Sequence, residues 1–204
     1  MRRSMILTLG LSVGLAFPNA NPSVSADQHP TGICSTLPAT ILASPEPSPV
    51  IVEEDRSLID AMIAGHTAAI AVANVGLERA TDPQVYRMAL RVAESQAGEL
   101  QLLRHWRSVW FPSEPAVAAG WSNATAATIA FLCSAEDNSF DRIFFEQLID
   151  HHTAAIATAT QVHDQAQHQE LIDFAATVLT SRQTEISIMQ SWLDAADATP
   201  SATG

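Results

Sequence analysis

One nonapeptide occurs twice in this chain, as IAGHTAAIA at 63–71 and as IDHHTAAIA at 149–157. The offset is 86 positions (152 − 66), and it holds far outside that stretch. Asp55–Arg56 matches Asp141–Arg142, Ala73 matches Ala159, Ala89 matches Ala175, and Val92 matches Val178. Glu99 matches Glu185 and Trp106 matches Trp192, with no gap needed between them. A fixed register over such a length is an internal repeat, and it constrains the fold before any local propensity is considered. Two copies are too few for a solenoid, so the chain reads as a duplicated helical hairpin forming one domain.

The apolar spacing within each copy is helical. Ile59, Ile63, His66, Ile70, Ala73 and Leu77 recur at alternating steps of four and three, an inward stripe of the bundle kind. Thr81-Asp82-Pro83 stops that helix and starts the next, with Asp82 as N-cap and Pro83 in the first helical position. The second stripe is Val85, Ala89, Val92, Gln96, Glu99, Leu103, Trp106 and Trp110, closed by Pro112 and Pro115. A linker over 112–138 contains the apolar run AATIAFLC, which suits a short helix packed over the bundle. Ser134-Ala-Glu-Asp resembles a capping box ahead of a helix beginning near Asn138 or Ser139. Phe145, Ile149, His152, Ile156, Ala159 and His163 form the third stripe. The fourth is Leu171, Ala175, Val178, Arg182, Glu185, Met189 and Trp192. Short turns within hairpins and a long crossover between them predict an all-α four-helix bundle over 53–195, with repeat one at 53–111 and repeat two at 139–195.

Ahead of the bundle, Arg2 and Arg3 precede an apolar stretch, Met5 to Phe17, and a small-residue site ending in Ala26. This is the pattern of a cleavable secretory signal peptide over 1–26, so periplasmic or secreted localisation is expected. No later segment reads as an uninterrupted membrane span. Residues 27–52 form a Pro/Ser-rich extended leader, and 196–204 a disordered tail. The formal charge is −12 and falls further to −14 without Arg2 and Arg3. An acidic surface repels phosphate backbones, which excludes nucleic acid as the expected partner. It leaves a protein partner or a second copy of the chain open. Cys34 and Cys133 suit an oxidising compartment and are expected to form a disulfide. Two free thiols or a thiolate metal site are the alternatives.

Polar residues interrupt each inward stripe. Folding hairpin one near residue 81 places His66 level with Gln96 and Glu99; hairpin two places His152 level with Arg182, Gln183 and Glu185. Carboxylates in a bundle core are costly unless paired with a cation. Two answers stand. The first is a metal held by His66, His152, Glu99 and Glu185, with Met62 and Met189 as sulfur donors at the edge and His151 on a neighbouring interface. The second is closure by the Arg182 guanidinium without any metal. His163 and His168 could form a second, looser cluster. Trp106, Trp110 and Trp192 read as plugs of the core ends.

The segments DRIFFEQLIDHHTAAIATA and RQTEISIMQSW, with their first-repeat counterparts, resemble the domain of unknown function 305 family over Asp55–Trp106 and Asp141–Trp192. The resemblance implies a ferritin-like four-helix bundle exported in bacteria, with copper binding or copper resistance in some members. The matching positions are His151, His152, Gln183, Glu185, Met189 and Trp192, and in the first copy Met62, His66, Gln96, Glu99 and Trp106. Gly65 replaces one His, while Leu148 and Leu103 replace methionines usual in the family. The loss of thioethers favours His/Glu coordination of Cu(II) or Zn(II) over Cu(I). The expected function is therefore sequestration or handling of copper or another divalent transition metal, with no catalysis. The alternative is a structural or interaction bundle neutralised by Arg182.

Overall fold

The computed structural model describes Cys34, residues 55–112 and residues 122–198. The expected signal peptide, the expected leader except Cys34, residues 53–54, residues 113–121 of the linker, and residues 199–204 of the expected tail lie outside the described residues. Five helices follow in order: α1 (Asp55–Arg79), α2 (Pro83–Trp110), α3 (Asn123–Ser134), α4 (Asp137–Gln165) and α5 (Gln169–Ala198). Helices α1/α2 and α4/α5 are the two repeated hairpins, and α1 also packs along α4. Among the described residues there is no strand.

Local sequence sets the helix ends. The Asp82 carboxylate accepts from the Gln84 and Val85 amides at 2.6 and 3.4 Å, with Pro83 opening α2 where no amide donor is needed. At the start of α4, Glu136 occupies the N-cap without a side-chain cap bond, and the helix begins at Asp137. The capping box expected from Ser134 does not form, because its hydroxyl donates back to the Phe131 carbonyl at 2.8 Å and finishes α3. Helix α5 runs to Ala198, past the bundle limit at 195.

Two buried apolar clusters fill the interior, separated by the polar layer. One joins the C-terminal half of α1 and the N-terminal half of α4, with Val75, Phe144, Phe145 and Leu148 at its centre. The other joins the opposite halves through Leu58, Ile59, Leu103 and Val162. At Gly76 the backbones come close: a Cβ there would sit 2.4 Å from the Phe144 Cζ atom. Helix α1 has the length and hydropathy, a mean of 1.5, of a membrane span, contrary to the sequence expectation. Its alanine-rich composition raises that mean, and just over half of the stretch (56 %) is buried inside the bundle. Helix α3, within the linker, packs Ile129 and Leu132 against the first cluster.

The repeat also recurs in how the hairpins are joined. Asp55, at the start of α1, accepts from the Gln167 and His168 amides in the turn of hairpin two, at 2.8 Å each. Asp141 in α4 accepts from the Thr81 amide at 3.1 Å, the Thr81 hydroxyl at 2.6 Å and the Asp82 amide at 2.8 Å in the turn of hairpin one. Each hairpin thus holds the other's turn with an equivalent aspartate, which fixes α1 antiparallel to α4. A further clamp comes from Arg79, whose guanidinium donates to the Leu132, Cys133 and Ala135 carbonyls at the end of α3. Beside it, Cys34 and Cys133 form a disulfide with a Cα–Cα distance of 5.5 Å.

Candidate functional site

At mid-length one polar layer crosses the core. His66 of α1 and Glu99 of α2 meet at 2.9 Å between Nε2 and Oε2, and His152 of α4 and Glu185 of α5 meet at the same 2.9 Å. The two pairs are related by the repeat. They are joined by Arg182, which is 1 % exposed and has no counterpart charge in repeat one, where Gln96 stands. Its guanidinium donates to Glu185 Oε2 at 3.1 Å and makes a short bond to Glu99 Oε2. Both carboxylates, the buried Glu185 and the partly exposed Glu99, therefore have a cation inside the chain.

Hydrogen bonding distinguishes the two imidazoles. His66 faces an acceptor on each side, the Met62 carbonyl 2.8 Å from Nδ1 and the Glu99 carboxylate at Nε2. Both ring nitrogens of His66 therefore have a hydrogen-bond partner. His152 donates Nε2–H to Glu185, and its Nδ1 has no hydrogen-bond partner among the described residues. Burial pushes the His152 titration down, against the opposing pull of Glu185, so the ring is neutral and Nδ1 carries a lone pair. For Glu185, burial pushes upward, but the His152 hydrogen bond and the Arg182 charge prevail and hold it below its usual range. Gln96 Nε2 and Arg182 Nε are the layer's other buried polar atoms without a partner.

His151 lies outside the layer, half-buried against the α1 backbone at Gly65, whose carbonyl accepts from it. Burial, aided by the neighbouring His152, His66 and Arg182, brings its titration down to about 4. Gly65 is its first-repeat counterpart, and a side chain there would meet open space. Met62 and Met189 are packed in the two apolar clusters on opposite sides of the layer. The expected His163 and His168 cluster does not form. His163 is exposed beside Asp164, whereas His168 bonds Asp55 at 2.5 Å and stacks on Trp110 at 3.9 Å. Helix phase explains the first case, since His163 falls one position beyond the buried Val162. Gln183 likewise points to solvent next to buried Arg182. Trp106, Trp110 and Trp192 are partly buried at the ends of the two clusters.

Nitrogen and oxygen donors from four helices suit a borderline transition metal. Their present bonds are to each other and to Arg182, and among the described residues no group of three or more His, Cys, Asp or Glu is preformed to hold an ion. An open groove between the start of α2 and the end of α5, bordered by Gln84, Ile188 and Trp192, lies away from these donors.

Two solved structures of CopM share this architecture. The Cu(II)-bound form is 26% identical, with a TM-score of 0.59, over 69% of this chain and 97% of that one. The Cu(I)-bound form is 27% identical, with a TM-score of 0.59, over 69% of this chain and 95% of that one. A DUF305 fragment from Deinococcus radiodurans shares the fold at 22% identity and a TM-score of 0.61, over 74% of this chain and 99% of the fragment. No curated protein matches the chain. The sequence profile described as domain of unknown function (DUF305) matches residues 55–193, all of the two-hairpin body except the last turn of α5, and the chain belongs to that family.

Proposed function

We propose that this chain is an exported, non-catalytic protein that binds copper, or a similar divalent ion such as zinc, to sequester it or hand it on. The observation that carries this reading is the convergence of His66, Glu99, His152 and Glu185, one from each bundle helix, in a single layer. Similarity to CopM, solved with Cu(II), Cu(I) and Ag, supports the class of ion. The neutral His152 ring, with an unpartnered Nδ1, is a ready nitrogen donor, and the carboxylates add hard oxygen. Met62 and Met189, each in an apolar cluster, are secondary candidates that would serve Cu(I) or Ag(I). His151 is a candidate outer ligand along the α1–α4 seam.

Metal content of the mature protein after equilibration with copper tests this. His66→Ala combined with His152→Ala abolishes stoichiometric uptake while the helical spectrum remains. Full uptake by that double variant overturns the assignment to this layer. A second reading is favoured by one observation, the Arg182 bridge between Glu99 and Glu185. In it the layer is a closed structural network, and the acidic exterior meets a protein partner.

A further inference from the structure

We infer that Arg182 is a resident competitor that sets the affinity of the layer: an ion enters only by displacing the guanidinium from Glu99 and Glu185. This rests on the metal-binding reading above and adds to it the residue that controls exchange. Four observations carry it. Arg182 contacts both carboxylates with its terminal nitrogens, occupying the Oε2 atom of each. Those same oxygens also accept from His66 and His152, so all four donor residues meet at atoms the guanidinium already holds. The repeat shows that the charge is not required by the fold of a hairpin, because the neutral Gln96 fills the equivalent place in α2. Finally, Arg182 Nε has no hydrogen-bond partner, so the hydrogen bonds that hold the guanidinium are all made by its terminal nitrogens.

The arrangement also indicates where exchange occurs. Helices α1 and α4 pack closely, whereas α2 and α5 stand further apart and are bridged across the layer by the Arg182–Glu99 contact. The Glu99 side chain is 19 % exposed, against 7 % for Glu185 and 1 % for Arg182. Glu99 is therefore the water-facing member, and breaking its bond to Arg182 is the step that opens the layer. A guanidinium remains charged at any accessible pH, so it leaves by moving and not by losing a proton. Copper or zinc binding then becomes ion exchange, with a weaker resting affinity than the donor set alone would give.

The test compares wild type with Arg182→Gln, which copies the first repeat, and Arg182→Lys, using Cu(II) and Zn(II) as probes. Removing competing charge-assisted hydrogen bonds tightens binding by about tenfold or more in Arg182→Gln, with Arg182→Lys between the two. The metal-free Arg182→Gln protein melts below wild type and gains more from added zinc. If that variant does not fold, wild-type protein labelled with 15N-arginine still decides the matter. The Arg182 side-chain protons, protected from exchange without metal, lose protection when zinc binds. Protected Arg182 protons in the zinc-loaded protein, or equal affinities in a folded Arg182→Gln variant, overturn the competitor role while leaving metal binding intact. No uptake by wild type or by a folded Arg182→Gln protein overturns the metal reading itself.

Discussion

The half-buried His151 makes the metal-free protein sensitive to mild acid. Burial first, then the nearby His152, His66 and Arg182, bring its titration from 6.5 down to about 4, with the Gly65 carbonyl opposing. In the unfolded chain the ring takes a proton near 6.5; in the folded chain it stays neutral until about 4. Its contribution to stability is therefore complete above pH 6.5 and is lost as pH falls from there to about 4. At about 1.4 kcal/mol per pH unit, that window corresponds to about 2–3 kcal/mol, after a modest discount for partial exposure. For a domain of this size the melting temperature falls by roughly 4–12 °C. His152 is shifted in the same direction and adds to the slope. Asp55 and Glu185 are both shifted down, so their contributions are lost only as pH falls below the ordinary values of 3.8 and 4.5, at the acid end of this window and beyond. Thermal melts by circular dichroism at pH 7.5, 6, 5 and 4.5, as assay conditions, compare wild type with His151→Gln, which retains a donor for Gly65. The variant should lose markedly less stability on acidification than wild type. Parallel curves would refute the placement of a neutral, protected imidazole between α1 and α4.

Two further perturbations test the frame that holds the layer. Asp141→Ala removes three hydrogen bonds to the turn of hairpin one. Because part of that turn is exposed, the expected cost is about 2–3 kcal/mol, read from the denaturant midpoint, with faster amide exchange at Asp82. A loss within error would mean the hairpins are held by core packing alone. Gly76→Ala places a methyl group 2.4 Å from Phe144 Cζ and 2.9 Å from the Ala89 Cβ. Overpacking there should cost about 1–3 kcal/mol in a thermal melt. An unchanged melting temperature would show that the Phe144 ring yields freely.

The hairpins and their polar layer were legible because the repeat preserves spacing as well as residue type. His66 with Glu99 and His152 with Glu185 follow from folding each copy at its turn, and both pairs form. Arg182 as the layer's cation was one of two readings, since a stripe shows that a charge points inward but not which partner it reaches. The Asp55 and Asp141 clasps were hidden for a related reason. Their repetition was visible, but each acts on the opposite hairpin, and intrahairpin arithmetic says nothing about that. Short-range signals were weaker. His163 and Gln183 sit beside buried residues, where a shift of one position turns a side chain about 100° into solvent. Ser134 had the right spacing for a capping box, yet the preceding helix used its hydroxyl first.

The most direct measurement is a calorimetric titration of the mature, tag-free, chelator-treated protein with Cu(II), Cu(I) and Zn(II). Metal binding in the polar layer predicts a single saturable site for at least one of these ions, with heat and affinity lost when His66 and His152 are both replaced by alanine. Absence of saturable binding for all three ions would contradict it, and leave Arg182 as the permanent cation of a purely structural layer.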